Sequence, residues 1–403
     1  MAGNSATAAA AIPPSQRLDL LDGLRGFALL GILLANIWYW VGWDFMTQAQ
    51  MIAQVGPDWE RGVRLFHRIV IDGKFYTLFS LMFGIGFTLQ LDRLERRGAA
   101  GARVFRRRML VLLAIGLVHM SLIWAGDILT LYAALGLLLP LFRHARERTL
   151  LLLAAALLLS PLLLAPLFDA LGWAPWRWFY RLAEAVGCRI DAHCTPDPLA
   201  QFQRPDWTGF LAFTAEGLPS RIAMLLEVWR LPKVLGIMLL GMAAGRRVID
   251  GTLLADRALL RRLFVGGLVI GLPFTLLYAL APAEGQQGWA AVIGTAPQGI
   301  AYAAGFALLW PRAQGLLRPL VPVGRMALTS YLTHSAIGFF FAGRFLGLAG
   351  HLPPWDFYPL ALAIFAGQLL FSRWWLAHHE QGPMERLWRI GTYGRGGAHS
   401  YSG

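Results

Sequence analysis

The chain has 403 residues, of which 57% are hydrophobic and only 15% charged, and its mean hydropathy is +0.52. Several apolar runs exceed the roughly 20 residues that a helix needs to cross a bilayer, so the composition predicts an all-α, polytopic membrane bundle. The formal net charge of +13 invites a nucleic-acid reading. The basic residues, however, gather in short segments between apolar runs, as membrane orientation requires, and no basic-aromatic strip or nucleic-acid motif is present.

Taken in order, residues 1–17 lack the positive n-region of a signal peptide and read as a disordered cytoplasmic lead. The first predicted span covers about 20–41 and carries Asp19, Asp22, Arg25 and Asn36 at its entrance or inside it. Charge in hydrocarbon is costly, so such groups face a protein interior or a wet cavity. At helical spacing Arg25, Leu29, Ile32 and Asn36 share one face. An Asp22/Arg25 pair and an interhelical bond from Asn36 would also account for them. The second span, about 69–91, contains Asp72, Lys74 and a Gly84-Ile-Gly86 site for a kink or close packing. Asp92 to Arg108 then holds seven arginines against Asp92 and Glu95, the strongest cytoplasmic signal in the chain.

Spans three (about 109–125) and four (about 127–142) meet at a turn around Gly126-Asp127. The fifth, about 149–169, is Leu-rich, with kinks expected at Pro161 and Pro166. Residues 170–230 form a polar section whose Trp173, Trp176, Trp178 and Phe179 suit an interfacial helix. Spans six to ten follow at about 231–246, 263–281, 289–310, 322–342 and 357–377, leading to a basic tail over 379–403. The arginine-rich loops give an even count with both termini inside.

Cys188 and Cys194, the two cysteines, fall in the section placed outside the cytoplasm. A pair so close in an oxidising compartment can close a small disulfide ring, whereas Cys-x5-Cys with the single His193 is poor zinc spacing. The His and acidic residues of the spans do not cluster as metal ligands, and no Gly-x-Ser-x-Gly, Walker loop or His-Glu-x-x-His is present.

Chemistry-bearing residues lie deep in two spans. His119 is about eleven residues into the third, roughly 16 Å down, near the midplane of the bilayer. His334 lies at similar depth in the ninth, within Ser330-Tyr331-Leu-Thr-His334. A neutral imidazole there can take a proton from an attacking oxygen or nitrogen. A packed histidine bonded to a neighbouring helix is the plainer account, and Ser330, Tyr331 and Thr333 would satisfy His334. Asp127 sits two turns beyond His119, able to orient it or to cap the fourth helix. On the cytoplasmic side Arg25 and Arg325 are placed to meet an anionic group. For Arg106, Arg107 and Arg108 the membrane-orientation rule suffices. Near the other face Lys74 and Asp72 either bind a substrate or pair and snorkel.

The opening Leu21-Asp22-Gly-Leu-Arg25-Gly26-Phe-Ala-Leu-Leu-Gly-Ile-Leu-Leu-Ala-Asn36 resembles the YeiB-like bacterial inner-membrane proteins (domain of unknown function 418). The likeness continues through Lys74 to Gly86 and through Gly116-Leu-Val-His119 with Trp124-Ala-Gly-Asp127. It returns at Gly324-Arg325 to Tyr331 and in Gly382-Pro-Met-Glu385-Arg-Leu-Trp388. The resemblance implies kinship with transmembrane acyltransferases, including heparan-alpha-glucosaminide N-acetyltransferase. These enzymes pass an acyl group from cytosolic acyl-CoA to a hydroxyl or amine across the membrane. That lysosomal enzyme has its catalytic His shortly after the Asn of its first span, whereas residues 37–50 here contain no His, so a shared chemistry needs its base elsewhere.

The expectation is therefore a transferase of the bacterial inner membrane, among membrane lipids. His119 would be the base, oriented by Asp127, with Asn36 on the thioester or acceptor. Arg25 and Arg325 would hold acyl-CoA (acetyl-CoA). His334, Ser330, Tyr331 and Lys74 would meet a sugar or lipid-linked acceptor. A proton-coupled exporter of a small amphiphile would use the same polar groups as a relay. The sequence leaves the oligomeric state open.

Overall fold

The first apolar run folds into α1, Pro14–Trp40, which buries Leu21, Leu24, Ala28, Leu29, Ile32, Leu33 and Ile37. A computed structural model describes residues 14–96, 101–195, 197–204, 206–281 and 285–397. Helix starts at Pro14, inside the expected lead, and residues 1–13 of that lead lie outside the described residues.

After two short surface helices and a π-turn over His67–Ile71 come α2 (Lys74–Arg96), α3 (Gly101–Leu122) and α4 (Leu129–Gly136). Next are α5 (Glu147–Ala170), α6 (Pro175–Ile190), α7 (Trp207–Glu227) and α8 (Arg230–Ile249). The long pair α9 (Arg257–Leu280) and α10 (Trp289–Leu309) precedes α11 (Ala327–Ser335), α12 (Pro354–His378) and the tail helix α13 (Pro383–Gly397). No strand occurs among the described residues.

Six stretches are long and apolar enough to cross a membrane: Leu18–Trp40, Pro57–Arg96, Glu147–Ala170, Arg257–Leu280, Trp289–Leu309 and Pro354–His378. They coincide with six of the spans read from the sequence. The remaining four are built differently. The third and sixth expected spans correspond to α3 and α8, helices of 22 and 20 residues that carry arginines towards their ends. The fourth breaks into the eight-residue α4 and a 3-10 turn, Leu139–Phe142, with Pro140 near its start. Proline has no N–H to continue an α-helix and clashes with the preceding turn. The ninth divides into Leu320–Arg325, α11 and a π-helical segment, Ala336–Phe345. By contrast α5 runs on through Pro161 and Pro166.

Glycines set the closest helix contacts. A Cβ on Gly84 of α2 would lie 2.1 Å from the Met238 carbonyl oxygen, and one on Gly241 of α8 2.3 Å from that of Leu81. The Gly84 site is thus a close-packing site that brings two backbones together. Likewise a Cβ on Gly324 would meet the Asp22 carbonyl oxygen at 1.7 Å. That approach sets Arg325 beside the entrance of α1. Apolar residues of α5, α9 and α12, such as Leu163, Val269 and Leu370, point outward, as lipid-facing surfaces do. In the polar section α6 packs along α7, with Trp173 and Trp178 exposed. Cys188 and Cys194 form a disulfide, at the end of the bundle opposite the arginines of α2 and α3.

Candidate functional site

His119 occupies the last turn of α3. Its carbonyl oxygen accepts the N–H groups of Ile123 and Trp124, both at 2.9 Å, so the helix closes there and the chain reverses. Gly116 lets the return pass, since a Cβ there would lie 2.7 Å from the Thr130 nitrogen. The reversal carries Asp127 back to the imidazole, with Nδ1 of His119 2.9 Å from Oδ1 of Asp127. Oδ2 of the same carboxylate accepts both the N–H and the hydroxyl of Thr130 at 2.6 Å. Both sequence readings of Asp127, orienting group and helix cap, describe one side chain whose two oxygens do different things. The two side chains are 1% and 0% exposed. A carboxylate facing Nδ1 selects the Nδ1–H tautomer, which leaves the Nε2 lone pair free. Nε2 is buried and has no hydrogen-bond partner among the described residues.

Tyr331 of α11 lies against this pair, its ring centroid 5.4 Å from that of His119. Its hydroxyl accepts the Ile128 N–H at 3.1 Å, which ties α11 to the turn carrying Asp127. Tyr331, Tyr132, Leu129 and Leu112 line the inner part of a cavity of about 540 Å³ that reaches the arginine-rich end of the bundle. Such a volume falls within the range of small-molecule sites.

Around its mouth stand Arg25, Arg93, Arg108, Arg325 and Arg389, with Asp22 and Glu385. Asp22 pairs with Arg25 at 2.5 Å. Arg108 is held by the tail: its guanidinium lies 3.7 Å from the Trp388 ring centroid, and Trp388 Nε1 donates to the Arg108 carbonyl at 2.8 Å. Glu385 fixes the other end of that contact by accepting the Leu328 N–H (2.7 Å) and the Thr329 hydroxyl (2.6 Å). Arg389 and Gln90 present buried N–H groups without partners among the described residues. Arg325 and Arg389 also border a second, more open depression of about 620 Å³ with His379 and Glu380.

Other expected residues lie elsewhere. His334 is buried with Nε2 on Oε1 of Gln368 in α12, and Gln368 in turn donates to the Ser330 carbonyl (3.0 Å) and Thr333 hydroxyl (2.7 Å). Neither His334 nor Ser330 lines the cavity. The partner of His334 is thus a glutamine 34 residues on and not its own neighbours in sequence. Lys74 is fully buried, donates to the Arg68 carbonyl, and lines neither depression. It does not snorkel, because α2 begins at this residue and its side chain turns into the protein. Asp72 instead accepts from Tyr278 (2.6 Å) and Gln286. Asn36 is half-buried, lines neither depression and makes no side-chain hydrogen bond among the described residues.

Residues 244–395 match the model of a protein family of unknown function, DUF418. The chain is 29% identical over 394 residues to the uncharacterized protein YxaH of Bacillus subtilis, covering 94% of this chain and 95% of that one. It is 30% identical over 388 residues, 94% of this chain and 95% of its relative, to an uncharacterized 39.9 kDa protein in the amylase 3' region of Bacillus acidopullulyticus. The chain belongs to the YeiB-like DUF418 family. YeiB of Escherichia coli, also uncharacterized, is 29% identical over 410 residues, 93% of this chain and 96% of its own. No solved structure matches. In this DUF418 protein the matched region contributes Arg325, Tyr331, Glu385, Trp388 and Arg389 to the cavity, while α1, α2 and α3 supply its other wall. Arg108 and Arg389 were hidden from the sequence argument by the orientation rule. The signal was the spacing Glu385, Trp388, Arg389, Thr392, Tyr393, a single face of the tail helix.

Proposed function

We propose that the protein is a transmembrane acyltransferase of the bacterial inner membrane that uses cytoplasmic acyl-CoA, with acetyl as the acyl group. The arginine-rich end is assigned to the cytoplasm by the orientation rule. A ten-span path, with α3, α4 with its 3-10 extension, α8 and the 320–345 segment as its irregular spans, puts both termini there. The observation that carries the reading is the buried His119–Asp127 pair, which lines neither depression but lies behind Tyr331, whose side chain separates it from a cavity with a mouth ringed by arginines.

Guanidinium groups pair with phosphate oxygens in bidentate fashion. Arg25, Arg108, Arg325 and Arg389 suit the phosphates of CoA, with the thioester extending along Phe83 and Met109 towards Tyr331. The acceptor is a hydroxyl or amine of a sugar or lipid-linked glycan on the other side. His119 Nε2 takes its proton as the oxygen or nitrogen attacks the thioester carbonyl carbon. The C–S bond then breaks, the CoA sulfur leaves, and the imidazolium returns the proton to it. Asp127 holds the tautomer and stabilises the imidazolium, the role of a carboxylate behind a histidine base. Asn36 is assigned no step.

The test is release of CoA thiol from acetyl-CoA by purified protein supplied with an envelope extract. His119→Ala is expected to lower it by about 10²-fold or more, the usual range for a general base. Equal rates in folded His119→Ala protein would remove the histidine from the mechanism. Dependence on a proton gradient without any thioester requirement would favour an exporter.

A further inference from the structure

On the far side of Asp127 from the cavity mouth lies a group of basic residues that form no carboxylate ion pair among the described residues. Arg221 of α7 donates from Nη2 to the Asp127 carbonyl at 2.6 Å, and its Nε is buried and unpartnered among the described residues. Arg230, at the start of α8, donates from Nη2 to Oε1 of Gln286 at 2.6 Å and stacks on Tyr76, 4.1 Å from the ring centroid. Its Nη1 is also buried without a partner among the described residues. Lys233, one turn further, is 4% exposed and donates to the Gln286 carbonyl at 2.6 Å. Arg221 and Arg230 lie within electrostatic reach of each other, as do Arg230 and Lys233. The carboxylates within the same reach are Asp127, for Arg221, and Asp72, for Lys233, so three cations face two carboxylates that are already engaged elsewhere.

None of these three cations forms an ion pair with a carboxylate among the described residues. Asp72, the acidic group nearest in the network, is engaged by Tyr278 and Gln286. Glu227 accepts from Tyr180 at 2.7 Å. Gathering like charges in a poorly solvated site is unfavourable unless an anion joins them. Backbone strain marks the same place. Trp229, between the two arginines, is the non-glycine residue with positive φ (55°) among the described residues, in the left-handed region, and it directly precedes Arg230. Strain of this kind persists where the surroundings hold it and concentrates at functional sites.

We infer that Arg221, Arg230 and Lys233 form a binding site for a phosphate ester at the disulfide end of the bundle, so that the acceptor is a phosphate-bearing molecule. The inference rests on the acyltransferase reading for the word acceptor, but the site stands on its own geometry. The two guanidiniums present unpartnered N–H donors suited to phosphate oxygens, and Lys233 adds a third positive charge. Because Arg221 touches the main chain of Asp127, a phosphate held here lies next to the histidine pair, and a hydroxyl or amine of the same molecule can be presented to His119. The phosphate can belong to a membrane-embedded headgroup or to a soluble ester.

The experiment uses full-length protein carrying Arg25→Gln and Arg325→Gln, which removes two of the five arginines of the mouth and weakens phosphate binding there. Calorimetry and thermal shift measure glycerol 3-phosphate against glycerol, and nanodiscs of phosphatidic acid against phosphatidylcholine. Saturable binding of either phosphate compound, weakened tenfold or more by adding Arg230→Gln or Arg221→Gln, is the expected result. The free ester binding indicates a soluble source; binding only in nanodiscs indicates a membrane source. Arg230→Lys, which keeps the charge and loses the fork, should weaken binding less than Arg230→Gln. Absence of phosphate-dependent binding in the parent protein overturns the proposal even if the added variants fail to fold, as does equal binding with and without Arg230→Gln and Arg221→Gln. CoA binding to otherwise wild-type protein, measured in parallel, reports separately on the acyltransferase reading.

Discussion

At the scale of single residues, the account turns on one carboxylate with two tasks. Asp127 gives one oxygen to His119 and the other to Thr130. Asp127→Asn keeps the shape and an acceptor for one contact, but its amide can donate to Nδ1 and select the wrong tautomer. Acyl transfer is expected to fall by about 10²-fold or more with little loss of thermal stability, by analogy with the Ser-His-Asp triad. Retention of full turnover in Asp127→Asn would limit the carboxylate to a structural role. The depth of His119 in an apolar run and an acidic residue two turns on were readable without coordinates. Whether Asp127 returned to the imidazole was not, because the reversal depends on where α3 ends and on the gap left by Gly116. For His334 the ambiguity went the other way, since its partner Gln368 comes from a helix that sequence spacing cannot align with it.

At the scale of elements, the tail helix α13 decides the shape of the cavity mouth. Glu385 is buried against α11, which raises its carboxyl above the usual range, while bonds from Thr329 and Leu328 oppose the shift. A carboxyl whose folded value is raised favours the folded state when protonated. Docking of α13 is therefore expected to be firmest below the ordinary carboxylate range and to weaken as pH rises through the raised value. Hydrogen exchange over 383–397 between mild acid and neutral pH checks this. Glu385→Gln, which keeps a carbonyl acceptor and cannot ionise, should flatten the dependence; an unchanged profile would assign it to another group. Gly241→Val probes the other critical contact. It drives a side chain into the Leu81 carbonyl and should destabilise the bundle by about 1–3 kcal/mol or prevent folding, seen as a lower melting temperature. Hydropathy shows where apolar runs lie, and six of them became long helices. It does not show that Pro140 splits one run, or that the segment after α11 turns π-helical, because both depend on local backbone bonding.

At the scale of the whole molecule, the charge asymmetry and the disulfide divide the bundle into two ends, with the buried histidine pair between them. The cysteine spacing was sufficient to suggest the disulfide, since six residues close a small ring. The arginine loops suggested the opposite end. What the sequence concealed was that the cavity is assembled from both halves of the chain, from Arg25 to Arg389, since no local pattern relates positions so far apart. The proposed acyl transfer requires a CoA thioester to enter from the arginine-rich end. The most direct measurement is acetyl-CoA binding to the purified protein by calorimetry, beside Arg25→Ala, Arg325→Ala and His119→Ala. The account predicts saturable binding, weakened about tenfold or more by either arginine change, as loss of a charged phosphate contact implies, and largely retained in His119→Ala. No saturable binding by folded protein would contradict it.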